Sequence, residues 1–232
     1  MSQLLSIIVP VYNEAGTVHQ VIDRLLQIPL PLNREIIVVN DGSTDGTRQV
    51  LDGVPRVDGV LSIVHAAANG GKGSAIRIGL DRARGTIIAI QDADLELDPV
   101  QLADLVQPIL SGEADVVYGS RFLGARPAGP WLSFAANRGL TTLTNVLFGG
   151  RLTDMETCYK IMRTPIARGL KLESNRFDIE PEITAKLLRQ HRRIVERPVT
   201  FDPRNRASGK KIGWRDGFHA VAVLIKYRFS NL

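Results

Sequence analysis

The sequence predicts an α/β fold, a Rossmann-like and mostly parallel sheet flanked by helices. Three observations carry that prediction. Short apolar runs alternate with helical patterns through the first 120 residues. Several runs are almost continuously apolar, as strands buried on both faces require. Their C-terminal ends carry glycine or polar residues, and strand-helix alternation at this spacing implies right-handed β-α-β units.

Taken in order, Leu4–Tyr12 is a near-continuous apolar run and reads as a strand. Thr17–Ile28 places Val18, Val21, Ile22, Leu25 and Leu26 at helical spacing. Glu35–Asn40 is a second strand, followed by a Gly/Ser/Thr/Asp turn and a short helix over Thr47–Leu51. Val60–His65 is a third strand, and Gly73–Ala83 a helix with Ile76 and Leu80 inward. Thr86–Gln91 is a fourth strand, Pro99–Leu110 a helix opened by proline, and Asp115–Gly119 a fifth strand. Beyond residue 121 the pattern changes. Trp131–Phe148 and Pro181–Gln190 read as helices and Ile194–Phe201 as a last strand. Asn205–Gly213 is a loop bearing glycine and lysine. Trp214–Phe229 is a final helix with Phe218, Val221, Leu224, Ile225 and Phe229 on one side.

Composition narrows the class. With 44% hydrophobic and 23% charged residues the chain is neither disordered nor collagenous, and it is not a multi-span membrane protein. No stretch reaches the roughly 18 apolar residues of a spanning helix. The first residues lack a basic n-region, so no signal peptide is expected. The one cysteine, Cys158, forms no internal disulfide and excludes cysteine-rich zinc sites. Charge is uneven. Residues 1–159 carry 12 Lys+Arg against 17 Asp+Glu, whereas residues 160–232 carry 17 against 7. An acidic first part and a basic last third suit two partners of different character: a metal ion, and a phosphate, nucleic acid or anionic membrane.

In sheets of this kind ligands bind at the carboxyl ends of strands. Four such ends here are Tyr12-Asn13-Glu14, Asn40-Asp41-Gly42, Gln91-Asp92-Ala93-Asp94 and Gly119-Ser120-Arg121. In an extended chain Asp92 and Asp94 would point the same way. Two such carboxylates repel unless a cation lies between them, and a hard ion such as Mg²⁺ or Mn²⁺ suits oxygen ligands. A surface acidic loop fits the same residues. Asn40–Gly46 reads as a tight turn with Asp45 or Thr44 capping the next helix, or as a place where Asp41 meets a base or ribose. Asn69-Gly70-Gly71-Lys72-Gly73-Ser74 fails both the Walker and the Rossmann glycine patterns, which favours a flexible turn over a phosphate loop. Arg121, Arg138, Arg206, Lys210 and Lys211 are either phosphate clamps or solvated surface. The run around Arg204–Lys211 lacks the aromatics of a single-strand nucleic-acid platform, and no Gly-x-Ser-x-Gly elbow supports a serine hydrolase.

Together these segments resemble glycosyltransferase family 2 with the GT-A fold, in particular the dolichyl- and polyprenyl-phosphate mannose or glucose synthases. The resemblance also rests on Thr153–Lys160, Phe177–Glu182 and Gly209–Arg215, all in family order from residue 4 to about 215. It implies an enzyme whose residues 1–212 form the glycosyltransferase domain. Residues 1–120 would hold the nucleotide sugar, 121–212 the acceptor, and 213–232 would form the amphipathic helix. Pro10, Tyr12, Glu14, Val39, Asp41, Lys72 and Ala93 would contact the donor. Asp92 would bind it too, Asp94 and Glu96 would ligate Mg²⁺ or Mn²⁺, and Arg121 would face the diphosphate. At the position of Glu96 the mannose synthases often carry glutamine. Ser120, Arg138, Arg206, Lys210 and Lys211 would meet the acceptor or diphosphate, although Pro203-Arg204-Asn205-Arg206 departs from the family's usual run.

The implied reaction moves mannose or glucose from GDP-mannose or UDP-glucose to a dolichyl or polyprenyl phosphate, with inversion. A phosphate monoester has its second pKa at about 6, so a strong general base and an essential histidine are both dispensable. The expected setting is the cytoplasmic face of a membrane, with the protein peripheral, capable of oligomerising and independent of nucleic acid. The last helix would lie at an anionic surface or pack on protein. A soluble sugar or glycan acceptor is the alternative.

Overall fold

The computed structural model describes residues 3–124, 131–203 and 214–230. Among these, seven strands form one sheet in the order β3-β2-β1-β4-β6-β5-β7. They are β1 (Leu4–Val11), β2 (Asn33–Asn40), β3 (Leu61–His65), β4 (Ile87–Ile90), β5 (Val116–Ser120), β6 (Lys160–Arg163) and β7 (Ile194–Pro198). β1 pairs in parallel with β2 and with β4, and β2 with β3. β6 alone runs antiparallel, between β4 and β5, and β7 pairs in parallel with β5. The carboxyl ends of β1, β2, β4 and β5 therefore share one rim. Strands from before and after residue 120 belong to the same sheet.

The helices are α1 (Val18–Gln27), α2 (Thr47–Asp52), α3 (Lys72–Arg82), α4 (Leu102–Leu105), α5 (Gln107–Leu110), α6 (Trp131–Phe148), α7 (Thr164–Gly169), α8 (Ile179–Arg189) and α9 (Trp214–Phe229). The main core is the two-faced strand set, with Leu5, Ile7, Ile8, Val9, Ile36, Val38 and Ile87 fully buried. That pattern is what continuous Val/Ile/Leu runs produce when helices cover both faces. A second core joins α8 and α9 through Ala185, Leu224 and Tyr227 with Met155, and Leu140, Leu143 and Leu147 of α6 pack against it.

Three expectations are corrected. The single helix over Pro99–Leu110 is a 3₁₀ turn (Pro99–Gln101) followed by α4 and α5. Pro108 explains the break, because its ring removes a donor and crowds the carbonyl four residues earlier. β6 and α7 were not expected. β6 reads Lys-Ile-Met-Arg, and charged ends on four residues hide a strand. In α9, Leu224 is buried while Phe218, Ile225 and Phe229 are exposed, so these apolar residues do not share one side. The inward face is Ala220, Leu224 and Tyr227, and burying a residue such as Leu224 contributes about 1.5–3 kcal/mol. Among the described residues, no helix is long and apolar enough to cross a membrane.

Candidate active site

A cleft of about 360 Å³ opens at the rim made by β1, β2 and β4. Pro10, Tyr12 and Glu14 line it from β1 and the segment after it, together with Asp41, Lys72, Asp92, Ala93, Asp94, Glu96 and Arg121. Parallel strands place their polar ends together because the crossover helices return each strand to the same starting edge.

Asp41 follows β2 and is 2% exposed. Its carboxylate accepts hydrogen bonds from Asn69 Nδ2 (2.9 Å), Gly70 N (2.9 Å) and Gly71 N (2.6 Å). The Asn-Gly-Gly turn is thus pinned by Asp41. Ser74 N, at the start of α3, donates to the Asn175 carbonyl. Gly71 has φ +94°, and a Cβ there would collide with that same carbonyl. The glycines admit a neighbouring chain, and three amides that resembled a phosphate cradle have protein partners.

The Asp92/Asp94 segment also differs from its extended-chain reading. β4 ends at Ile90 and the chain turns, with Leu95 at φ +64°. Asp94 Oδ1 accepts from Glu96 N at 3.1 Å. Asp92 Oδ1 lies 2.8 Å from Lys72 Nζ, which also sits 2.9 Å from Glu180 Oε1 on α8. Burial alone would raise the Asp92 carboxyl, but Lys72 overrides it and holds the group below its usual range. Burial likewise opposes the Lys72 ammonium, and Asp92 and Glu180 hold it well above normal.

Glu180 binds a second cation, Lys160 at the start of β6, which is fully buried. Lys160 also donates to the carbonyls of Met155 and Thr157. Arg121, beyond β5, is clamped by Asp154, with Nε at 2.7 Å from Oδ2 and Nη2 at 2.8 Å from Oδ1. Its guanidinium lies over the Phe201 ring, 5.3 Å from the centroid. Glu156 lines the cleft as well. Burial pushes its carboxyl up to about 7; Lys160 and Arg121 oppose that, while Glu180 and Asp154 add to it.

The other expected residues fall elsewhere. Val39 is buried in the core of β2, away from the cleft lining. Ser120 is buried and shares a hydrogen bond with Thr153 Oγ1. Arg138, on α6, is outside the cleft lining with its guanidinium 5.9 Å from the Phe122 ring centroid. Arg206, Lys210 and Lys211 lie outside the described residues. Asn69, Glu156, Cys158, Arg176, Phe177, Glu180 and Phe201 line the cleft without having been given a site role, although all but Arg176 and Phe201 fall in segments that carried the family resemblance. No histidine is among the described residues that line it.

No group of three or more His, Cys, Asp or Glu among the described residues is arranged to hold a metal. Asp94 and Glu96 each bring a carboxylate to the cleft. One or two carboxylates completed by substrate phosphates is the usual protein share of a Mg²⁺ shell. The donor set therefore fits an ion shared with a diphosphate.

Comparison with known proteins places this geometry. The sequence pattern described as glycosyl transferase family 2 matches residues 6–170. The chain is 32% identical to a dodecaprenyl-phosphate galacturonate synthase of Rhizobium johnstonii over 97% of its own length and 66% of that protein's. It is 29% identical to an undecaprenyl-phosphate mannosyltransferase of Micrococcus luteus, over 93% of this chain and 90% of the relative. So it spans about two thirds of one relative and nine tenths of the other. In fold it is similar to a glucosyl-3-phosphoglycerate synthase of Mycobacterium tuberculosis, solved with Mn²⁺, UDP and phosphoglyceric acid. The TM-score is 0.76 at 19% identity, covering 99% of this chain and 80% of that one.

Proposed function

The chain belongs to glycosyltransferase family 2, and from that premise we propose that it transfers a hexose from a nucleotide diphosphate sugar to a polyprenyl or dolichyl phosphate. One observation carries the reading. The rim cleft sets an acidic corner (Asp92, Asp94, Glu96) beside fixed cations (Lys72, Arg121), which suits a donor whose diphosphate must leave. The names of the Rhizobium and Micrococcus relatives support a polyprenyl-phosphate acceptor. The fold neighbour solved with Mn²⁺ and UDP supports the donor class.

In this reading Pro10, Tyr12, Glu14 and Asp41 hold the nucleoside side, within residues 1–120. Asp94 and Glu96 would hold Mg²⁺ or Mn²⁺, and the ion would supply charge neutralisation for the departing diphosphate. Arg121, already oriented by Asp154, presents its guanidinium to the same oxygens at no reorganisation cost. Lys72 keeps Asp92 oriented as a donor contact. An acceptor oxygen attacks the anomeric carbon from the opposite face, the bond to the diphosphate breaks, and the configuration inverts. Residues 121–212 supply the acceptor side. The α9 stripe of Phe218, Ile225 and Phe229, flanked by Lys226 and Arg228, faces away from the buried side and suits an anionic membrane at the cytoplasmic face.

The test is thermal and chemical. UDP or GDP should raise the melting temperature only with Mn²⁺ or Mg²⁺, and Asp94→Ala should abolish that shift. An unchanged wild type removes the donor assignment. Sugar recovered in an organic-extractable lipid supports the prenyl acceptor. Recovery only in water-soluble product favours a soluble acceptor, the second reading, which the phosphoglyceric acid in the fold neighbour motivates.

A further inference from the structure

The cleft carboxylates are not equivalent. Asp41 is held by Asn69, Gly70 and Gly71, Asp92 by Lys72, and Glu180 by Lys72 and Lys160. Asp154, behind them, is spent on Arg121. Glu156 differs. It lines the cleft, yet its Oε1 is shielded from solvent and has no hydrogen-bond partner among the described residues. A buried carboxylate oxygen left unpaired is costly, and such exceptions call for a ligand or a chemical role.

We propose that Glu156 accepts the proton of the attacking acceptor oxygen during transfer. The inference rests on the glycosyl-transfer reading above and adds a residue to it. A free phosphate monoester is mostly dianionic at neutral pH, with a second pKa of about 6. Seven carboxylates line the cleft against three cations, Lys72, Arg121 and Arg176, and this acidic excess disfavours the dianion, so the acceptor enters as a monoanion that keeps one proton. The balance is then closed. The acceptor oxygen forms its bond to the anomeric carbon, the carbon–oxygen bond to the diphosphate breaks, and that electron pair leaves on the diphosphate. The acceptor's proton passes to Glu156.

The surroundings tune the group for this work. Lys160 on β6 and Arg121 after β5 favour its charge; burial, Glu180 on α8 and Asp154 oppose it. The result, a carboxyl titrating at about 7, is close to the working pH that suits a general base.

The experiment is Glu156→Gln in the full chain, with the nucleotide sugar the wild type consumes, Mn²⁺ and a short polyprenyl phosphate. Turnover is followed from pH 5.5 to 8.5, and melting is recorded with UDP or GDP and Mn²⁺. The expected result is an unchanged nucleotide-induced shift and a kcat lower by about 10²–10⁴-fold near pH 7, where Glu156 is substantially ionised. The loss should shrink as pH rises and solvent removes the acceptor's proton, so the variant's profile climbs more steeply with pH than the wild type's. A uniform loss at all pH values, no loss, or a lost nucleotide shift overturns the role of Glu156. A wild type with neither nucleotide shift nor transfer overturns the donor reading, and this proposal with it; an active wild type with an unaffected variant overturns this proposal alone.

Discussion

Helix α8 carries two glutamates, Glu180 and Glu182, two residues apart and so on opposite faces. Both are buried and both bind buried lysines, yet they serve different ends. Glu182 is fully satisfied. It accepts from Glu173 N, Ser174 N, Lys186 Nζ and Tyr227 Oη, and it ties α8 to α9 and to the 173–174 segment. Glu180 faces the cleft, shared between Lys72 and Lys160, with Glu156 and its unpaired oxygen near by. A buried charge with both oxygens hydrogen-bonded is a structural staple. A cluster that leaves an acceptor unfilled beside a cleft is arranged for something that binds there.

The sharpest way to break this contrast is Glu182→Ala. It strands Lys186 and two backbone donors, so a stability loss of about 3–5 kcal/mol is expected in urea unfolding. A loss under about 1 kcal/mol would deny the staple role. Glu180→Gln should cost less, about 2 kcal/mol, because Lys72 keeps Asp92 and Lys160 keeps two carbonyls, so each lysine loses only one of its partners. It should also move the Glu156 titration toward acid, since Glu180 is one cause of its rise. Carboxylate NMR across pH 4–9 reads that shift, and an unmoved or raised midpoint would contradict the coupling.

The two faces also predict opposite pH responses. Burial opposes the Glu182 charge, but Lys186 and the two backbone amides prevail and lower its carboxyl. Its stabilisation is therefore full above the unfolded value of about 4.3 and is lost as pH falls through the lower folded value. Glu156 is raised, so the folded state holds its proton longer and stability falls as pH climbs from about 4.3 to about 7. Glu156→Gln should therefore melt progressively higher than the wild type over that interval, in scans at pH 5 and 8. An equal offset at both would sink the assignment. The smallest effect is at the surface. Lys226 pairs with Glu173 at 3.0 Å, but both are more than half exposed, and Lys226→Ala should change stability by about 0.5 kcal/mol or less.

Much of the parallel sheet was legible because its strands are apolar on both faces. Leu4–Val11 and Asn33–Asn40 carry no competing signal, and their polar ends announced the rim. β6 was not, because Lys160 and Arg163 break its hydrophobicity. Only the carboxylate of Glu180, 20 residues further on, makes a fully buried lysine acceptable there. The glycine turn at residues 69–73 was half legible. Its composition marked a turn, but its closeness to Asn175, 104 positions after Gly71, is a fact of packing. The acidic segment Asp92–Glu96 was recognisable as a strand end on the rim, where its carboxylates do line the cleft, while the engagement of Asp92 with Lys72 was not legible.

What the sequence determined alone was whatever depends on neighbours along the chain: strand and helix periodicity, the shared rim of carboxyl ends, the ordered family segments and the charge asymmetry. What only the tertiary structure decided was which carboxylate meets which cation. Those pairings join residues tens of positions apart, and Coulomb and desolvation energies depend on separation and burial in space, which spacing along a chain does not encode.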